Sequence, residues 1–332
     1  MQSVLTRRRF ITFVAAAAGL PLLLKAGGAQ ARPVRWDGTA LGAPASIQLF
    51  HTNEAQARAA VAAGLDELKR LEAIFSVYRA DSSISQLNRD GVLENAPGDF
   101  VAMLTRALSL AQISDGVYDP TVQPLWQTYF RHFTASNPDP AGPPAKEISA
   151  ALTRVDWRAV DVDTSRNRIS FSRPGMGLTL NSGAQGYITD RVTDVLRAHG
   201  FDRMLVDMGE PRALSAKPDG SAWRIAIANP ADPGNAVTTL EVVDKCVSTS
   251  GGYGTLFDQA GAFTHIMNTR TGTTAPALVG VSVVADTGIV ADGLSTAMLM
   301  APVERRLSIL KAAGGNKAIF VTPDGVVSTV EA

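Results

Sequence analysis

Hydrophobic positions recur every three or four residues over 54–78, EAQARAAVAAGLDELKRLEAIFSVY. Val61, Leu65, Leu68, Leu71, Ile74 and Phe75 share one side of a helical projection and predict a long amphipathic helix. The same spacing predicts a second helix over 99–114, DFVAMLTRALSLAQIS. Further helices are expected around 186–199 and 292–312. Short runs rich in β-branched and aliphatic residues predict strands at 46–50, 168–172, 177–181, 203–208, 223–228, 238–243, 278–285 and 317–322. The stretch FTASNPDPAGPPAK, 133–146, is rich in Pro, Gly and polar residues and reads as a loop, the one candidate internal boundary. Strands and helices do not alternate as regular βαβ units, so the pattern favours an α+β fold over a doubly wound sheet.

The first residues follow a different pattern. Arg7, Arg8 and Arg9 precede an apolar run from Phe10 to Leu24, and Ala29-Gln30-Ala31 fits a small-residue cleavage site. The run contains Pro21 and falls short of the roughly 20 apolar residues of a membrane span. The paired arginines read as a twin-arginine export signal, with an ordinary secretory signal or uncleaved anchor as the alternative. Residues 1–31 are thus expected to be a leader, and 32–332 a single exported, soluble domain destined for the periplasm. Of 332 residues, 31 are basic and 31 acidic. Removing Arg7, Arg8, Arg9 and Lys25 leaves 27 basic against 31 acidic residues, which argues against a nucleic-acid partner. Cys246 is the single cysteine, so no internal disulfide forms.

Candidate chemistry is narrowed by what is missing. The four histidines, His51, His132, His199 and His265, make no zinc-type pair. Neither G-x-G-x-x-G after a strand nor G-x-x-x-x-G-K-[ST] occurs, and there is no G-x-S-x-G elbow. Oxygen chemistry remains. In IVADGLSTAMLM, 289–300, an almost wholly apolar helix carries Asp292 and, four residues on, Thr296. Positions four apart lie on one face and could offer two oxygens to a hard cation such as Mg²⁺. The plainer alternative makes Asp292 the N-cap of a helix starting at Gly293, with Thr296 bonded to a carbonyl one turn back. In LNSGAQGYITDR, 180–191, Gly183 and Gly186 stand at a strand-to-helix junction where backbone N–H groups could meet a phosphate, or where the chain simply turns.

Seven stretches, in order, resemble the ApbE family of FAD:protein FMN transferases. They are FSVYRADSSISQLN (75–88), SDGVYDPTVQPL (114–125), LNSGAQGYITDRV (180–192), VDMGEPRALSAKPDGSAWRIAIANP (206–230), STSGGYGTLF (248–257), HIMNTRTG (265–272) and ADGLSTAM (291–298). Three positions depart from the family pattern. Gln185 replaces its usual Lys, Met208-Gly209-Glu210 stands for Gly-Gly-Asp, and Asn268-Thr269 for Asp-Pro. The first two changes, behind a twin-arginine leader, resemble the NosX branch, which serves nitrous oxide respiration.

The resemblance implies mainly antiparallel sheets with packed helices. It implies Mg²⁺ on Asp292, Thr296 and the Ala184 carbonyl, with FAD as substrate. It implies transfer of FMN from FAD to a threonine hydroxyl of a partner flavoprotein, with release of AMP. His265 is the candidate for proton transfer at that hydroxyl, beside Asp292. Tyr78, Asp119, Gly183, Gln185, Gly186, Gly209, Glu210, Ser250 and His265 are the expected flavin-nucleotide contacts. The acceptor is expected to be membrane-bound and exposed on the exported side, the regulator or electron donor of nitrous oxide reductase. Two alternatives stay open: hydrolysis of FAD to FMN and AMP, and a flavin-binding accessory protein without chemistry.

Overall fold

The computed structural model describes residues 32–51, 53–274 and 279–332. The expected leader lies outside the described residues. The elements run β1 (Arg32–Ala40), β2 (Ala43–His51), α1 (Glu54–Phe75), α2 (Ser83–Asp90), β3 (Val92–Leu93), α3 (Gly98–Ile113), α4 (Gln123–Phe133) and α5 (Ala145–Leu152). They continue β4 (Val160–Asp163), β5 (Arg168–Phe171), α6 (Asn181–Ala198), β6 (Met204–Asp207), β7 (Pro211–Leu214), β8 (Trp223–Asn229), β9 (Asp232–Val242) and β10 (Cys246–Gly251). Last come β11 (Gly280–Ala285), α7 (Gly288–Met300), α8 (Arg306–Ala313), β12 (Gly315–Val321) and β13 (Val327–Glu331). Eight strands form one sheet in the order β1-β2-β6-β7-β10-β11-β12-β13, with every neighbouring pair antiparallel. Strands β3-β5-β4 and the hairpin β8-β9 form two smaller sheets. The fold is α+β, as the pattern predicts.

The helix α1 starts where Asn53 accepts a hydrogen bond from the Gln56 N–H, 3.1 Å, and it buries Val61, Leu68, Leu71, Ile74 and Phe75. Its apolar stripe packs on α6 and the sheet in the main core, with Leu65 at the margin. In β8, Trp223, Ile225 and Ile227 are buried while Arg224 and Ala226 point out, the period-two signature of a strand with one wet face. These side chains build a second core with Leu205, Val242 and Val247.

Two expected elements take a different form. Residues 177–181 are not a strand. The Asn88 side chain, 90 residues away, accepts from the Leu178 N–H (2.6 Å) and donates to its carbonyl (2.8 Å), replacing a strand partner; Asn181 then opens α6. The helix expected over 292–312 is two helices, α7 and α8, broken at Pro302. Its first part starts earlier than expected, at Gly288, which removes the N-cap reading of Asp292.

The cap of α7 is borrowed. Thr287 makes no side-chain cap bond. Asp190 of α6 instead accepts from the Gly288 N–H (2.8 Å) and the Ile289 N–H (3.1 Å), while Arg212 of β7 pairs with the same carboxylate. The two helices touch through backbone. A Cβ placed on Gly186 would lie 2.1 Å from the Gly288 oxygen, and one on Gly288 would lie 2.3 Å from the Gly186 oxygen. A methyl group there has nowhere to go, since both neighbours are backbone. Gly288→Ala should therefore destabilise the protein by about 1–3 kcal/mol, against the helix-propensity gain of roughly 1 kcal/mol. A urea melt showing a net gain in stability would mean that the helices do not meet at this point.

Candidate active site

The first turn of α6 is not regular. Ser182 (φ −91°, ψ 80°) and Gly183 (φ 141°, ψ −29°) leave helical geometry inside it, and a φ of 141° is one that side-chain-bearing residues rarely adopt. Tyr118, buried after α3, donates its hydroxyl to the Ser182 carbonyl (3.0 Å), and the Met103 methyl occupies the space a Gly183 Cβ would need. The kink turns backbone N–H groups toward α7. Asp292 Oδ2 accepts from the Gly186 N–H at 2.9 Å, and Gly183 also bonds to that carboxylate. The N–H groups expected to meet a phosphate thus meet Asp292, because a carboxylate of the protein itself lies within their positive field. Ala184 is buried between them.

On α7, Asp292 and Thr296 share a face, and β10 lays hydroxyls along it. Ser250 Oγ lies 2.9 Å from Thr296 Oγ1 and 2.7 Å from Ser295 Oγ, while Ser248 Oγ lies 3.3 Å from Ser295 Oγ. Ser295, not Thr296, is the hydroxyl that bonds back within the helix, to the Asp292 carbonyl at 2.8 Å. Residues 248 and 250 are two apart in a strand and so face the same way. Ser250 lies beside Thr296.

Acidic groups gather beside this face. Glu210, buried at the turn after β6, accepts from the Thr249 N–H (3.2 Å). Burial, and then the negative charge of Asp292, push the Glu210 carboxyl well above the usual range. Burial pushes Asp292 up to about 7, partly offset by the Gly186 and Gly183 N–H groups. Burial likewise pushes Asp207 up to about 6. Among the described residues no cationic side chain offsets Asp292, and the guanidinium of Arg212 pairs with Asp190. Gln185 lies directly over Gly209 (φ 109°): a Cβ on that glycine would fall 2.2 Å from the Gln185 amide nitrogen. A glutamine here leaves the acids without the charge a lysine would bring.

His265 sits where the chain turns back after β10. Its N–H donates to the Thr255 carbonyl (3.1 Å), and its ring Nδ1 lies 3.2 Å from the same oxygen. A carbonyl can only accept, so Nδ1 carries the proton and Nε2 keeps a lone pair. The half-buried ring rests against Gly254, where a Cβ would be 3.2 Å from Cε1. Burial lowers the His265 pKa below the ordinary histidine value, with the Thr255 carbonyl opposing.

Other expected site residues have different surroundings. Asp119 is an internal staple: Oδ1 accepts from the Thr121 N–H (2.8 Å) and hydroxyl (2.6 Å), and Oδ2 from the Trp157 N–H (3.1 Å). Its Oδ1 shapes the local turn and its Oδ2 ties that turn to Trp157. It also lines a polar cavity of about 320 Å³ with Asp115, Trp157, Arg158, Thr269 and Arg270. Tyr78, on the turn after α1, is 57% exposed. The Asn268-Thr269 pair has a structural account. Asn268 Oδ1 accepts from the Arg270 (2.9 Å) and Thr271 (3.1 Å) N–H groups, a task that either Asn or Asp performs, and Thr269 donates to the Gly116 carbonyl (2.5 Å). The sequence reading missed Asp190, Ser248, Ser295 and Tyr118. Asp190 had a signal: it lies four residues after Gly186, on the side of α6 that meets α7.

Comparison with known proteins places this geometry. Residues 41–320 match the ApbE family. The FAD:protein FMN transferase of Treponema pallidum (strain Nichols) is 30% identical over 292 residues, covering 80% of this chain and 79% of that protein. That of Haemophilus influenzae is 26% identical over 275 residues, covering 79% and 78%. Among solved structures, the apo form of Pseudomonas stutzeri flavinyl transferase ApbE superposes with a TM-score of 0.75 at 26% identity, covering 91% of this chain and 96% of the other. Vibrio cholerae flavin transferase ApbE, at 23% identity, shares the fold with a TM-score of 0.77. Sequence and fold therefore agree that the chain belongs to the ApbE family.

Proposed function

We propose that the chain is an FAD:protein FMN transferase that moves FMN from FAD to a threonine hydroxyl of an exported flavoprotein. The observation that carries this reading is the buried carboxylate of Asp292, one helical turn from the Thr296 hydroxyl and uncompensated by any cationic side chain. A buried charge without a partner is costly, and a site of this kind favours a cation. Carboxylate, hydroxyl and carbonyl oxygens are the donors Mg²⁺ prefers. Asp292, Thr296 and the Ala184 carbonyl would hold it, and Glu210 would add negative field. Bound there, Mg²⁺ supplies charge neutralisation on the FAD pyrophosphate.

The chain's own residues set up the transfer. Gln185 and Ser250 border the oxygen-rich face and have hydrogen-bonding groups for phosphate. The His265 Nε2 lone pair takes the proton of the acceptor hydroxyl. The threonine oxygen then bonds to the FMN-side phosphorus, the pyrophosphate P–O bond breaks, and AMP leaves with that bridging oxygen. A lowered histidine pKa keeps His265 neutral and ready to accept near pH 7. Tyr78 is the aromatic side chain assigned to stacking on a flavin or adenine ring.

In the cell we place residues 32–332 in the periplasm as the flavin transferase domain, sent there by the twin-arginine leader 1–31. Among the described residues no helix is long and apolar enough to cross a membrane. Gln185 and Glu210 support the branch that serves nitrous oxide respiration, so the acceptor is the membrane regulator or electron donor of nitrous oxide reductase.

Asp292→Asn keeps an oxygen for the Gly186 N–H but loses the charge. It should fold, and it should lose FMN transfer at low Mg²⁺ with partial recovery at high Mg²⁺; Thr296→Val should lose less. Transfer at the parental rate by Asp292→Asn in low Mg²⁺ would sink the assignment. The metal-free parent also has a signed pH dependence. A carboxyl raised to about 7 contributes stability that is complete below its unfolded value near 4 and is lost as pH rises through 7. The stability of Asp292→Asn relative to the parent should therefore climb by up to roughly 4 kcal/mol between pH 4 and 8, as read by denaturant melts without metal. For the same reason Mg²⁺ must displace protons below about pH 7. Calorimetry in buffers of different ionisation enthalpy should show proton release at pH 6 and weaker binding than at pH 8. An affinity that stays flat across that range would contradict it.

A further inference from the structure

An aromatic cluster adjoins the turn that carries His265. Residues 255–265 fold back on themselves: Leu256 bridges Thr264, the Phe257 N–H donates to Phe263 (2.9 Å), and the His265 N–H donates to Thr255 (3.1 Å). Phe263 and His265 flank the buried Thr264, and both are half-buried. Phe263 and Phe257 pack on α4, with Phe133 5.0 Å from Phe263 and Trp126 5.7 Å from Phe257, centroid to centroid. Phe130 closes the series. It stacks on Trp126 at 4.9 Å and 13°, yet it is 46% exposed.

Trp126 and Phe133 already cover the cluster, so its stability does not require an exposed Phe130. A rigid, stacked aromatic surface with an open ring is the usual anchor of a protein interface. The charge on the helix itself is one-sided. The helix α4, QPLWQTYFRHF, has no acidic residue. Arg131 is exposed and, among the described residues, pairs with no carboxylate; its guanidinium donates only to the Gln127 carbonyl, 3.3 Å.

We infer that the exposed side of α4, at Phe130 and Arg131, docks the acceptor polypeptide. It takes a segment bearing an apolar side chain and a carboxylate near the threonine that receives FMN. The inference rests on the transferase reading above, which requires a macromolecular hydroxyl at His265 Nε2. The aromatic cluster is joined to that ring through the chain, since Phe263 lies two residues before His265 and accepts from the Phe257 N–H. The apolar side chain stacks on Phe130, and the carboxylate answers Arg131.

The test uses the full chain, FAD, Mg²⁺ and the exported domain of the acceptor named above, purified without flavin. Flavin bound to acceptor is followed by mass spectrometry. Phe130→Ser and Arg131→Glu should each raise the KM for acceptor about tenfold, the size of an ordinary interface anchor. The KM for FAD and kcat should stay within about twofold of the parent, because neither residue touches the reacting groups. Val303→Glu changes another exposed apolar residue (73% exposed) away from α4 and should change nothing. An unchanged acceptor KM in both α4 variants would overturn the docking surface while leaving the transferase reading intact. An equal rise in Val303→Glu would also overturn it. No transfer by the parent would defeat the acceptor assignment itself, and this surface with it.

Discussion

The backbone contact between α6 and α7 governs the rest of the site. Gly186 and Gly288 approach so closely that neither could carry a side-chain carbon. That approach brings the kinked first turn of α6 over the second turn of α7. The result is a carboxylate held by backbone N–H groups in a buried setting, with hydroxyls of β10 along its flank. With larger residues at the crossing the helices would stand further apart. The Asp292 carboxylate would then exchange its N–H donors for water and lose the burial that raises its pKa.

Charge follows from this geometry. Burial raises the Glu210 carboxyl and the negative charge of Asp292 adds to it, while Asp292 is raised by burial and by the negative charge of Asp190. Arg212 pairs with Asp190 and so stabilises the helix cap. Gln185 brings no compensation. Left unmatched, such a cluster works against stability at neutral pH. Its persistence in a fold is expected where a bound cation repays it.

The sequence revealed those parts of the molecule whose information is local. The helix α1 was legible because one side of it is wet, so its apolar stripe has a period. The last helices were blurred because α7 is buried nearly all round and lacks a polar face to mark its start. Residues 177–181 have strand-like side chains, but a clamp from Asn88 decides their conformation, and nothing in the segment announces it. Asp292 and Thr296 were legible as an i,i+4 pair, whereas Ser250 and Glu210 came from family motifs. Asp119 is marked by its motif, but its hydrogen bonds to Thr121 and to the distant Trp157 N–H are a property of the assembled fold. Raised carboxyl pKa values were invisible, since burial is a property of the assembled fold. The substitution at Asn268 looked anomalous only while its side chain was taken as a charge and not as a turn acceptor.

The borrowed cap on α7 has a consequence for how the site comes into being. A helix of 13 residues is marginal alone, and this one has no side-chain cap of its own. Its first two N–H groups wait for a carboxylate 98 and 99 residues earlier in the chain. The helix cannot hold its N-terminus until α6 has docked, and α6 cannot dock until Gly288 is in place to receive Gly186. The oxygens of Asp292, Thr296 and Ala184 therefore belong to a single cooperative unit that opens and closes as one.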